Sequence, residues 1–122
     1  MRAKKIIRIQ IRSVDEALAD FVSTAESIKN GQKSQKETGV YFASLEAFRK
    51  AITPKRMQLL HTIRAEKPSS LHELAKLLNR DIKNVSDDII FLEQIGLIER
   101  KRHDNRTAPR SAYDEMQVKI AI

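Results

Sequence analysis

Between Ser70 and Gly96 the chain reads SLHELAKLLNRDIKNVSDDIIFLEQIG, and this block restricts the fold more than any other stretch. Ser70 followed by Glu73 is a helix-capping pair. Leu71, Leu74, Ala75 and Leu78 then fall at the i, i+3, i+4, i+7 spacing of one helical face. Leu78-Asn79-Arg80 predicts a tight turn, because Asn tolerates a left-handed backbone. Asp81 caps a second helix with Ile82, Val85, Ile89 and Leu92 on its inner face, and Gly96 suits the position just past its end. Two short amphipathic helices joined by so tight a turn form a helix-turn-helix unit.

The flanks add elements of both kinds. Ile7, Ile9 and Ile11 alternate with Arg8, Gln10 and Arg12, which predicts a half-buried strand. Ser13 and Glu16 cap a helix whose apolar stripe is Val14, Leu18, Phe21, Ala25 and Ile28, and Lys29-Asn30-Gly31 ends it. That stripe is either a dimer helix or, more commonly, core. Gln32 to Thr38 reads as a surface loop. Val40 and Phe42 suggest a short extended piece, and Ser44 caps a helix with Leu45, Phe48 and Ile52 inward. Thr53-Pro54 opens the next helix, to about Ala65, with Met57, Leu60 and Ile63 inward. After Gly96, residues 97–102 read as a strand, 103–110 as a polar turn segment, and Tyr113 to Ile122 as the returning strand or strands. A hairpin behind a helix-turn-helix is a winged helix. The expected class is mainly α with a small β component (α+β). It comprises a winged helix-turn-helix over 53–122 and an N-terminal strand–helix extension over 1–52.

Composition narrows the chemistry. With no Cys there is no disulfide framework, thiolate metal site or cysteine nucleophile. Lys and Arg number 23 against 16 Asp and Glu, a net charge of +7 that permits nucleic acid or an acidic partner without proving either. The longest apolar runs, such as Ile89-Ile90-Phe91-Leu92, fall far short of the ~20 residues of a membrane span. Arg8, Gln10 and Arg12 break up the apolar region that a signal peptide needs. The expectation is a cytoplasmic protein with no membrane partner.

From Thr53 to about Tyr113 the chain resembles the winged helix-turn-helix transcriptional regulators of bacteria and archaea, loosely MarR-like. It is most similar to a group of small predicted regulators with a preceding segment like Tyr41-Phe42-Ala43-Ser44-Leu45-Glu46-Ala47-Phe48-Arg49. The residues that carry the likeness are Thr53-Pro54-Lys55-Arg56 with Leu59-Leu60, Ser70 to Leu78, Asn79-Arg80-Asp81-Ile82-Lys83-Asn84-Val85, and Gly96-Leu97-Ile98. The resemblance implies sequence-specific binding of double-stranded DNA, usually as a homodimer, and repression of transcription. Some members look like antitoxins encoded beside a small toxin, so the alternative function is an antitoxin that masks a toxin and autoregulates its operon. Three positions depart from the pattern. Ser86 and Asp87 stand where a histidine and a basic residue often follow, and Asn79 replaces the usual turn glycine.

In such a fold the second helix enters the major groove with its first residues against base edges. Lys83, Asn84, Asp87 and Asp88 lie off the inner face. Lys83 can donate to guanine or phosphate, Asn84 can pair bidentately with adenine, and Asp87 can accept from cytosine. Arg80, Ser70 and His72 are expected at phosphates, which fix register without carrying sequence information. The alternative for this face is solvation, with Asp87 and Asp88 pairing with cations of the same fold. The wing adds Arg100, Lys101, Arg102, Arg106 and Arg110 for phosphate or minor-groove contact. Arg2, Lys4, Lys5, Arg8 and Arg12 are either a DNA-touching arm or a charged edge that discourages aggregation. Val118, Ile120 and Ile122 offer a second candidate edge for a partner.

Catalytic and metal signatures are missing. His61, His72 and His103 are isolated, and no HExxH or paired-His spacing occurs. Asp87 and Asp88, as neighbours on a helix, point ~100° apart and cannot face each other as a carboxylate pair. No cofactor, metal or catalytic residue is expected.

Overall fold

The computed structural model of the chain describes residues 3–29, 39–120 and 122. In chain order the elements are β1 (Ile6–Ile11), α1 (Val14–Lys29), β2 (Gly39–Phe42), α2 (Leu45–Ala51), α3 (Pro54–Glu66), α4 (Leu71–Leu78), α5 (Ile82–Gln94), β3 (Ile98–His103), β4 (Arg106–Ser111) and β5 (Glu115–Ile120). They divide into two compact units. One comprises Met1–Lys5 and Ile52–Glu115, the other Ile6–Ala51 and Met116–Ile122.

In the second of these units three strands form a sheet in the order β2-β1-β5. The alternation in β1 is realised: Ile7, Ile9 and Ile11 are buried and Arg8 is exposed. β1 and β2 run parallel, with Arg8 opposite Gly39 and Ile11 opposite Phe42. A Cβ at Gly39 would lie 2.3 Å from the Arg8 carbonyl oxygen, so only glycine permits this approach. The ring of Phe42 meets that of Phe48 edge to face at 5.6 Å, tying α2 to β2. Ser13 caps α1 by accepting from the Glu16 N–H at 3.2 Å. The stripe of α1 is not core. Val14, Leu18, Phe21 and Val22 are between 53% and 72% exposed, because the helix meets the sheet through its polar side. The expected loop at Gln32 to Thr38 and the Ile28 side chain lie outside the described residues.

The first unit is a winged helix-turn-helix. Thr53 accepts from the Arg56 N–H at 3.2 Å with Pro54 at the first turn, and α3 ends at Lys67 in a left-handed conformation, φ 46°. Ser70 caps α4, which ends at Asn79, φ 52°. Asp81 caps α5 by accepting from the Lys83 N–H at 2.9 Å. Leu59, Ile63, Leu74, Val85, Ile89, Leu92, Leu97, Ile98 and Ala108 form its buried core. Each large side chain of that set contributes roughly 1.5–3 kcal/mol of burial. Leu59 joins this core although the sequence pattern pointed to Met57, which is only half-buried.

The wing differs from the expected one. β3 and β4 pair antiparallel from Ile98 opposite Ser111 to His103 opposite Arg106, so the turn is only Asp104-Asn105, with Asp104 at φ 55°. The returning strand therefore spans 106–111, starting inside the 103–110 segment read as a polar turn and ending one residue past it. Beyond the hairpin, Glu115–Ile120 form β5 beside β1. The departure point is pinned at Asp114. Its backbone N–H donates to the Lys5 carbonyl at 2.7 Å, and its carboxylate accepts from the Lys5 N–H at 2.8 Å. Arg64 also donates to its carbonyl at 2.8 Å. Among the described residues no helix is long and apolar enough to cross a membrane.

Candidate nucleic-acid interface

The first turn of α5 presents Lys83 and Asn84 to solvent, with Asp87 one turn further on. Their orientation follows from the inner face: once Val85, Ile89 and Leu92 are buried, positions 83, 84 and 87 must point outward. Ile90 shares this exposure at 42%. Sequence reasoning passed over it. The signal was the uninterrupted run Ile89 to Leu92, which a single inner face of a 3.6-residue helix cannot absorb.

Asp88 does not share that exposure. Its carboxylate is 15% exposed and accepts from Arg56 Nε at 3.0 Å and from Arg80 Nη2 at 2.9 Å. The Arg56 guanidinium also stacks over the Phe91 ring, 4.0 Å from its centroid. Asp88 pairs within the fold, with cations from α3 and from the turn before α5. Arg80, expected at a phosphate, has a side chain that is 18% exposed and paired with Asp88. Its Nη1 is buried with no hydrogen-bond partner among the described residues. Arg56, which the sequence reading did not assign to any site, completes this clamp from α3. Only the fold could reveal it, since Arg56 and Asp88 stand 32 positions apart.

At the start of α4 the Ser70 hydroxyl oxygen accepts from the Glu73 N–H at 3.1 Å. The Glu73 carboxylate reaches back to the N–H of Ser69, at 3.0 Å, and to its hydroxyl, rather than to Ser70 itself. The hydrogen bonds from the Ser69 hydroxyl and N–H hold the Glu73 carboxyl below its ordinary range, and the charges of Arg106 and Arg110 add to this. His72 is exposed on the first turn of α4.

The wing cations do not form one row. Cross-strand pairs share a face of the hairpin, and successive residues alternate between faces. Arg100 and Arg102 pair with Pro109 and Thr107 on one face, while Lys101 pairs with Ala108 on the other, along with Arg106 and Arg110. Two of the five are held by the fold. Arg100 Nε lies 3.0 Å from a Glu93 carboxylate oxygen at the end of α5. Arg110 donates to the Pro68 carbonyl at 2.6 Å and to its neighbour Pro109 at 2.8 Å, bracing the wing against the α3–α4 connection. Lys101, Arg102 and Arg106 are exposed near the tip. Among the described residues no group of three or more His, Asp or Glu could hold a metal ion.

Comparison with known proteins places this geometry in context. The HVO_A0114 family matches residues 51–118, more than half of the chain. No curated protein matches. A predicted DNA-binding transcriptional regulator from E. coli shares the fold, with a TM-score of 0.50 and 20% identity over 80% of this chain and 85% of that one. The homodimeric winged helix-turn-helix DNA-binding domain Mb0332 from Mycobacterium bovis gives a TM-score of 0.48 and 20% identity, over 81% of this chain and 70% of that one.

Proposed function

The chain belongs to the HVO_A0114 family, and we propose that it is a sequence-specific double-stranded DNA-binding transcriptional regulator that acts as a repressor in the cytoplasm. The observation that carries this reading is the solvent-facing first turn of α5, with Lys83 and Asn84 together at the start of the second helix of a helix-turn-helix. A helix so placed inserts its N-terminal residues between the major-groove edges. Asn84 then reads adenine and Lys83 reads guanine or a flanking phosphate. Asp87 accepts from cytosine, and Ile90 offers an apolar contact to a thymine methyl group. Ser70 and His72 meet the backbone from α4, and Arg102 and Arg106 from the wing tip, where phosphate contacts set the register. Arg80, Arg100 and Arg110 hold the reading elements in place. In this reading the unit containing Ile52–Glu115 binds the DNA, and the unit of Ile6–Ala51 with Met116–Ile122 serves dimerisation or partner binding.

The test begins by selecting bound duplexes from a random library. With the selected site in hand, Lys83→Ala and Asn84→Ala are each expected to lose about 1–3 kcal/mol of preference for it over random DNA. Equal losses on both duplexes would remove base readout from these residues.

A second reading, an antitoxin within the MarR-like class, draws its support from the exposed apolar stripe of α1, which is suited to a protein partner. A small toxin-like reading frame beside the gene, and co-purification with its product, would favour it.

A further inference from the structure

The unit formed by residues 6–51 and 116–122 carries an acidic, apolar helix and a basic groove on the same face of its sheet. Arg8, Gln10 and Arg12 share one side of β1 by alternation. α1 lies on that side: Arg12 pairs with Asp20, and the Tyr41 hydroxyl donates to the Ser13 carbonyl at 3.2 Å. Ala17, Asp20 and Thr24 therefore face β1 and β2, with Phe21 at the rim of the cleft that they line with Arg12 and Tyr41. Toward β5 the same face of β1 opens into a groove lined by Arg8, Gln10, Gln117, Val118 and Lys119. Arg8 and Lys119 are exposed there.

α1 has three sides with different chemistry. The side toward the sheet is small and polar. About a quarter turn away runs the exposed stripe Val14, Leu18, Phe21, Val22 and Ala25. Farther round, opposite the sheet, stand Asp15 and Glu26, both exposed. The helix carries Asp15, Glu16, Asp20 and Glu26 against a single cation, Lys29. Four large apolar side chains more than half exposed on one helix make a contiguous patch of the kind that marks an association site.

We propose that a second copy of this chain covers the patch, with the two α1 helices packed antiparallel about a two-fold axis and the acidic side of each over the basic groove of the other. Such an interface is self-complementary, as two-fold symmetry requires. The apolar stripe meets itself, and Asp15 and Glu26 meet Arg8 and Lys119 of the partner subunit. The signs match: helix acidic, groove basic, both within one unit. This deepens the DNA-binding reading, because two recognition helices related by a two-fold axis suit a palindromic site. That use rests on the reading, whereas the interface itself does not.

Sedimentation of the full-length protein tests it. The wild type is expected to be a dimer at micromolar concentration. Leu18→Asp with Phe21→Asp is expected to be a monomer, its dimer dissociation constant raised at least about a hundredfold, with an unchanged thermal melt measured at low concentration. Arg8→Glu with Lys119→Glu is expected to weaken the dimer about tenfold or more, and adding Asp15→Lys with Glu26→Lys to restore it. A monomeric wild type, a dimer that survives the Leu18 and Phe21 substitutions, or a charge reversal without rescue would each overturn the proposal. Binding to random duplex DNA is measured in parallel. A dimer without DNA binding sinks the regulator reading alone, and a monomer that binds DNA sinks the interface alone.

Discussion

Asp88 shows how two neighbouring carboxylates on one helix come to different surroundings. It neighbours Asp87, yet one carboxylate is exposed and the other holds two arginines. Removing Asp88 strands Arg56 and Arg80 with partly desolvated charge, so Asp88→Ala should cost about 3 kcal/mol, the lower end for breaking a buried pair. Asp87→Ala should stay within about 0.5 kcal/mol, as exposed positions do. Chemical denaturation of both variants checks this; similar midpoints would deny the clamp. The sequence left Asp88 open to a base contact, to solvent or to a cation of the fold. Choosing between them needed the position of Arg56, which local pattern does not encode.

At the scale of elements, the helices were the legible part. Capping residues and 3.6-residue periodicity are local, so α3, α4 and α5 begin at Thr53, Ser70 and Asp81 as read. Asn79 ends α4 in the left-handed conformation that its side chain tolerates. Asn79→Ala should therefore cost about 1 kcal/mol, since alanine pays the full left-handed strain, while Asn79→Gly should be close to neutral. Urea midpoints at constant slope measure both. An alanine variant as stable as the wild type would contradict the assigned turn. The strands were less legible. Residues 106–111 look polar because β4 buries only the adjacent Ala108 and Pro109, so no alternation marks the strand. Val118 and Ile120 alternate clearly, but periodicity says nothing about which strand they join.

At the scale of the molecule, charge has to be counted after the fold has used its share. The wing has five cations in sequence, but Arg100 and Arg110 are engaged by Glu93 and Pro68, and the remaining ones lie on both faces of the tip. Binding to random duplex DNA should weaken with salt at a slope of about −0.9 per phosphate neutralised. Arg102→Ala with Arg106→Ala should flatten that slope by about two, whereas Arg100→Ala should leave it nearly unchanged. Equal slopes for all three proteins would remove the wing tip from the contact set.

The amino-acid order alone determined the helix-turn-helix, its caps, its inner face and the strand β1, because each depends on residues within a turn or two of one another. Tertiary structure alone decided that β5 joins β1, that Arg80 serves Asp88, and that the stripe of α1 faces solvent. Those outcomes depend on which distant groups arrive at the same place, and neither periodicity nor composition carries that information.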